Sequence, residues 1–196
     1  MDPIQTRSSV GNHRKSVDMP LEICLQLQAN LYFTDGGAEE LAAIQESGEP
    51  ILPLTEHIIT ENPYVEKHTI NSMWRSVERR DNYRAEYARI WNSTATSLGV
   101  NGEPQGTVDV ILSPVGPGAA PKIGTSKWWG YTSQWNLLDY PALVFPVDQV
   151  TFEKDSETEN YEPRNDKDQY NWDLWKQYGA HGYRNAPISL QLIGRR

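Results

Sequence analysis

Three short apolar runs constrain the fold of this chain most: Val108-Asp109-Val110-Ile111-Leu112, Ala142-Leu143-Val144-Phe145 and Ile188-Ser189-Leu190-Gln191-Leu192-Ile193. Each is rich in β-branched or aromatic residues and is bounded by Pro or Gly. Runs so short suit strands better than helices, and the first two read as buried on both faces, as in a largely parallel sheet. Helical patterns precede and separate the runs. The expected fold class is therefore α/β, with helices layered against the sheet. No internal repeat is present.

The helices can be placed by spacing and punctuation. Leu21, Cys24, Leu25, Gln28, Leu31 and Tyr32 recur at helical spacing behind Pro20, a residue suited to a first turn. Asp35-Gly36-Gly37 ends that helix, because glycine tolerates the left-handed backbone beyond a helix end. A second helix is expected over Ala38–Glu46, closed by Gly48, and Pro50 and Pro53 impose an extended connection after it. A long helix is expected from about Ser72 to Trp91. Its apolar stripe would be Met73, Trp74, Val77, Ala85, Ala88 and Trp91, with Arg75, Glu78, Arg79 and Glu86 opposite.

Charge excludes some functions. The chain has 196 residues, with 18 basic and 26 acidic ones giving a formal charge of −8. A nucleic-acid binder needs a basic stripe to displace counterions, and the arginines of the long helix are balanced by Glu78, Asp81 and Glu86. Between Asp148 and Asp173 stand nine acids and three bases, a net −6. Apolar residues are sparse there, so the segment reads as an acidic, solvated surface loop between strands. A calcium loop is the sharper alternative, but the acids lack EF-hand spacing and no glycine is available for the tight turn.

One cysteine, Cys24, excludes an internal disulfide framework and a cysteine-based zinc site. No apolar run approaches a membrane span, and residues 1–20 hold no signal-type apolar core. The chain is expected to be soluble and cytoplasmic, to carry no cofactor or metal, and to begin with a disordered tail over residues 1–19, followed by a domain over 20–196.

Catalytic constellations were sought by chemistry. Cys24 falls on the apolar side of its helix and reads as a buried structural thiol. No Gly-x-Ser-x-Gly elbow, P-loop or Gly-x-Gly-x-x-Gly occurs. Ser126-Lys127 are adjacent, so their side chains point apart, and the pair reads as the flank of a helix. His13, His57, His68 and His181 show no metal spacing. Gly116-Pro117-Gly118 is a poor phosphate cradle, since proline lacks an N–H, and reads as a kink after a strand. Seven tryptophans raise the possibility of an aromatic binding platform from Trp128, Trp129, Trp135, Trp172 and Trp175, set against ordinary core packing.

Three longer blocks go further. They are Asp109-Val110-Ile111-Leu112-Ser113-Pro114-Val115-Gly116-Pro117-Gly118-Ala119-Ala120-Pro121, then Tyr131 through Val147 (YTSQWNLLDYPALVFPV), then Asn185 through Arg196 (NAPISLQLIGRR). Their order and spacing resemble the C-terminal part of amidase signature enzymes, in the fungal acetamidase-like or general amidase branch. Leu31-Tyr32-Phe33-Thr34-Asp35-Gly36-Gly37 and the Trp91-Asn92 helix end are similar too, so the resemblance runs from about Leu21 to Arg196. It implies part of the amidase signature fold, and a hydrolase that converts small carboxamides to carboxylate and ammonia.

In that family a serine is activated through a second serine by a neutral lysine, and all three lie in the N-terminal half of the enzyme. No stretch of this chain matches them, so the resemblance carries over no catalytic residue and implies a fragment inactive by itself. Trp135 and Asn136 are expected walls of an acyl or amide pocket, with a helix or turn cap as the structural alternative for Asn136. A noncatalytic binding or regulatory protein built on the amidase scaffold is the alternative function. Self-association through an exposed sheet face is the expected partner chemistry, with no nucleic acid and no membrane.

Overall fold

The computed structural model describes residues 21–155 and 161–195. The tail expected over 1–19 lies outside the described residues. In chain order the helices are α1 (Leu21–Tyr32), α2 (Ala38–Ser47), α3 (Pro53–Thr55), which runs into a π-helical turn at Glu56–Thr60, α4 (Ile70–Asn92), α5 (Gly130–Leu138), α6 (Phe152–Asp155) and α7 (Asp166–Gly182). The strands are β1 (Ser97–Leu98), β2 (Pro104–Gln105), β3 (Val110–Pro114), β4 (Ala142–Gln149) and β5 (Pro187–Gly194). They group into two compact units, one from 109–132 and 140–195, the other from 21–108 and 133–139.

In the helical unit, α1 buries Cys24, Leu27, Gln28 and Ala29. The Asp35 carboxylate accepts from the N–H of Glu39 at 2.8 Å and of Gly37 at 2.9 Å, so it caps the start of α2 and lies below its ordinary pKa. Gly48 ends α2 at φ 72°, the left-handed geometry expected of it. Helix α4 opens with a reciprocal capping box, Ser72 N–H to Thr69 Oγ1 at 3.1 Å and Thr69 N–H to Ser72 Oγ at 2.9 Å.

The buried face of α4 differs from the expected stripe. Ser76, Tyr83, Tyr87 and Trp91 are buried, whereas Met73 is 42% and Trp74 68% exposed. Only Trp91 belongs to both sets. Two polar-tipped side chains of the buried face find partners: Ser76 Oγ donates to Asn30 Oδ1 at 2.6 Å, and Trp91 Nε1 donates to the Val108 carbonyl at 2.8 Å. A stripe of purely apolar residues cannot report such a face. His68 is structural as well, its Nε2 donating to the Asn30 carbonyl at 3.0 Å.

The other unit is organised by β5, which lies between β3 and β4 and pairs antiparallel with both. The expectation of a largely parallel sheet is therefore corrected. β3 and β4 run the same way but are separated by β5, so neither pairs with the other. Their burial on both faces is also corrected. Ile111, Ser113, Gln191 and Ile193 share one buried face, at 6, 1, 1 and 0% exposure. On the opposite face Val110 is 48%, Leu112 57% and Leu143 66% exposed. Each outer strand has a single neighbour in the sheet, which leaves an apolar surface unlike that of a buried central strand.

The acidic stretch is not a loop throughout. It holds the end of β4, all of α6 and the first turns of α7, while 156–160 lie outside the described residues. Asn165 makes the difference: its side chain accepts from the N–H groups of Lys167 and Asp168, both at 3.1 Å, and so starts a helix on a highly charged segment.

Two outcomes follow from this packing. Ile193 is fully buried in the central strand, so Ile193→Ala is expected to lower stability by about 2–5 kcal/mol in denaturant titrations. Burial pushes the Cys24 thiol from 9.0 up to about 12, with the Tyr83 hydroxyl acting in the opposite sense. The unfolded thiol loses its proton first, so this contribution is complete below pH 9.0 and fades as pH rises towards 12. Stability measured across that window should fall less steeply in Cys24→Ala than in the unaltered chain.

Candidate functional site

The buried face of β5 supports a cavity wholly within its own unit. After β3 the chain turns back along β5, with Ala120 N–H donating to the Pro187 carbonyl at 2.9 Å. The prolines of Val115–Pro121 stiffen this loop, in keeping with the expected kink. The chain then passes through Lys127, Trp128 and Trp129 into α5. Tyr170 of α7 donates its hydroxyl to the Thr125 carbonyl at 3.0 Å, and Lys127 Nζ lies 5.5 Å from the centre of the Tyr170 ring.

Helix α7 supplies the facing wall. Asp168, Asn171, Trp172 and Trp175 fall at helical spacing on one side and line the cavity. Gly179, at φ 55° and ψ −170°, breaks the helical path near the end of α7. Beyond it Tyr183 packs 5.4 Å from Trp175, beside buried Val150 and Ala180. The cavity is partly open, with a volume of about 650 Å³, the size of a small-molecule site.

Its lining is mixed: six aromatic side chains and three prolines stand beside small apolar residues and six polar or charged ones. Trp128 meets Tyr131 edge-on at 5.0 Å, and Tyr161 lies 5.1 Å from Trp172. The Tyr161 hydroxyl donates to Asp168 Oδ2 at 2.6 Å, and the Arg164 N–H donates to the same oxygen at 2.9 Å. These bonds hold the Asp168 carboxyl below its ordinary pKa, and the Tyr161 hydroxyl is raised in return. Asp168 is thus a fixed, ionised acceptor whose oxygen is already engaged, poorly placed to act as a base.

Four of the five tryptophans considered as a platform, Trp128, Trp129, Trp172 and Trp175, come together here. The fifth, Trp135, does not line the cavity. It is 2% exposed and packs edge-on against Tyr87 at 6.0 Å. Asn136 is exposed on α5, and its carbonyl accepts from the Asp139 N–H at 3.2 Å, near the helix end. The sequence reading passed over Tyr161, Asp168, Asn171 and Tyr183. The spacing of Asp168, Asn171, Trp172 and Trp175 was a usable signal, hidden by treating the acidic stretch as a loop.

Among the described residues, the cavity holds no paired nucleophile. Among the described residues, Ser113 Oγ donates to the Pro114 carbonyl, and neither Ser126 nor Ser189 is hydrogen-bonded to a lysine. Lys122 is committed elsewhere, donating to the Gly182 carbonyl and lying over Tyr178. No group of three His, Cys, Asp or Glu among the described residues is placed to hold a metal, and no helix among them is long and apolar enough to cross a membrane.

Comparison with known proteins gives one answer. The chain is 43% identical over 170 residues to "Putative amidase C550.07" of Schizosaccharomyces pombe, covering 87% of this chain and 29% of that protein. It is 33% identical to Amidase 1 of Gibberella moniliformis (88% and 31% covered) and 29% identical to an acetamidase of Emericella nidulans (87% and 29%). Among solved structures, fatty acid amide hydrolase superposes with a TM-score of 0.68 at 26% identity, over 90% of this chain and 29% of that one. The chain spans about 30% of the length of these relatives, and the matching segment is their C-terminal part. Its fold is part of the amidase signature fold. With the Amidase family model matching residues 21–196, the chain belongs to the Amidase family.

Proposed function

We propose that this chain provides the substrate-facing wall of a carboxamide hydrolase and does not cleave amides by itself. The observation that carries this reading is an aromatic cavity with no hydrogen-bonded serine–lysine pair, in a chain that superposes on fatty acid amide hydrolase. The substrate class is a small carboxamide, cleaved to carboxylate and ammonia in the complete enzyme, in keeping with the acetamidase among its relatives. Its acyl part packs against Trp128, Trp129, Trp172 and Trp175. Trp135 and Asn136 contribute to an acyl or amide pocket in that complete enzyme.

A relay through two serines and a lysine needs contacts of about 3 Å, and a displacement of about 1 Å costs about a hundredfold in rate. Side chains committed to backbone carbonyls, as Ser113 and Lys122 are, do not meet that demand. The convergence of four tryptophans favours a second reading as well, a noncatalytic binding protein that holds its ligand without turnover. The acidic balance of −8 supports partners other than nucleic acid. A single, buried cysteine and the lack of a long apolar helix among the described residues support a cytoplasmic protein.

Purified chain is expected to release no ammonia from acetamide or benzamide and to take no label from a fluorophosphonate probe. Benzamide should quench tryptophan fluorescence saturably. Trp172→Ala should weaken that binding about 2- to 10-fold, the loss of one aromatic contact of about 0.5–1.5 kcal/mol. Ammonia release abolished by replacing a single serine would overturn the inactivity. The exposed Val110, Leu112 and Leu143 face favours self-association. Gel filtration is expected to show species larger than the 22.3 kDa monomer, and a clean monomer peak would count against that surface as an interface.

A further inference from the structure

Gln191 sits in the middle of β5 and is 1% exposed. Its Nε2 donates to the Pro114 carbonyl at 2.8 Å and to the Tyr131 carbonyl at 2.8 Å. These acceptors are 77 and 60 residues away in sequence. Both partners are carbonyl oxygens, which only accept, so the amide must present its nitrogen to them and spends both hydrogens there. Pro114 immediately precedes the loop that forms one cavity wall, and Tyr131 lies between Trp129 and Thr132 of the other. Ser189, two residues earlier on the same side of β5, lines the cavity itself.

We propose that Gln191 is a positioning residue that sets the distance between the two cavity walls, holding the Trp128–Trp129 segment at the spacing the ligand requires. The two walls differ in how much else holds them to β5. The loop after β3 keeps Val115 N–H to the Ser189 carbonyl at 3.4 Å and Ala120 N–H to the Pro187 carbonyl at 2.9 Å. The start of α5 meets β5 through the Tyr131 carbonyl. Removing the donor therefore acts selectively on the tryptophan wall, while the pairing of β5 with β3 and β4 persists. A glutamate has the same shape but donates only when protonated, and then through a single hydrogen, so it restores one of the two bonds. Burial among carbonyl oxygens favours that neutral form and raises its pKa.

Gln191 matters in this way only if the cavity is the ligand-facing surface proposed above, so the deciding spectrum is recorded without ligand. Indole N–H resonances of the full chain are compared for the unaltered protein, Gln191→Leu and Gln191→Glu. The Trp128 and Trp129 signals are expected to move in both variants near pH 8, while that of Trp74 stays. In Gln191→Glu they should return towards their original positions as the pH is lowered to about 5, and in Gln191→Leu they should not. Benzamide affinity should follow the same order, falling about tenfold and recovering with acid only in Gln191→Glu. Unmoved Trp128 and Trp129 resonances in a folded Gln191→Leu overturn the proposal, as does movement of all indoles together with no recovery in acid. Movement and recovery of the resonances without benzamide binding uphold Gln191 and sink the cavity's ligand instead.

Discussion

The antiparallel pairing of β5 with β3 and β4 is the constraint on which the site depends. It brings segments separated by dozens of residues to one strand and gives them a common, fully buried face at Ile111, Ser113, Gln191 and Ile193. Loop and helix are tied to that face by backbone and side-chain hydrogen bonds. The local cluster of Val150, Ala180 and Tyr183 is small. In such a unit the polar ties carry an unusual share of the specification, because each missing buried bond costs a desolvated group.

The same architecture underlies the proposal that the chain forms one wall of a larger site. Several polar side chains near the cavity are engaged by carbonyls or by each other, as Ser113, Lys122 and the Tyr161–Asp168 pair are. Groups so engaged orient aromatic surfaces well. They are poorly free to move protons. The other side of the sheet leaves Val110, Leu112 and Leu143 exposed.

Much of the local structure was legible from spacing and punctuation. The glycines at 36, 37 and 48 mark their helix ends, the Cys24 helix buries its thiol, and the three apolar runs are strands. The blocks around Ser113–Pro121, Tyr131–Val147 and Asn185–Arg196 led to the family. The α4 face was misread because it buries Ser76, Tyr83 and Tyr87, residues with a polar tip that an apolar count ignores. The strand direction was misread because a continuous apolar run looks alike in a parallel sheet and in an outer antiparallel strand.

What the residues determined alone was the inventory: where helices start and stop, which runs extend, the acidic balance, and membership of the Amidase family. Tertiary structure decided which of the tryptophans meet, since Trp128, Trp129, Trp172 and Trp175 share a cavity while Trp135 is buried against Tyr87. It also decided the role of Gln191, an unremarkable polar residue in an apolar strand. The reason is range: helix caps and turns are set by neighbours a few positions away, whereas a cavity is set by hydrogen bonds that close over 60 or more residues, and no local pattern encodes their partners.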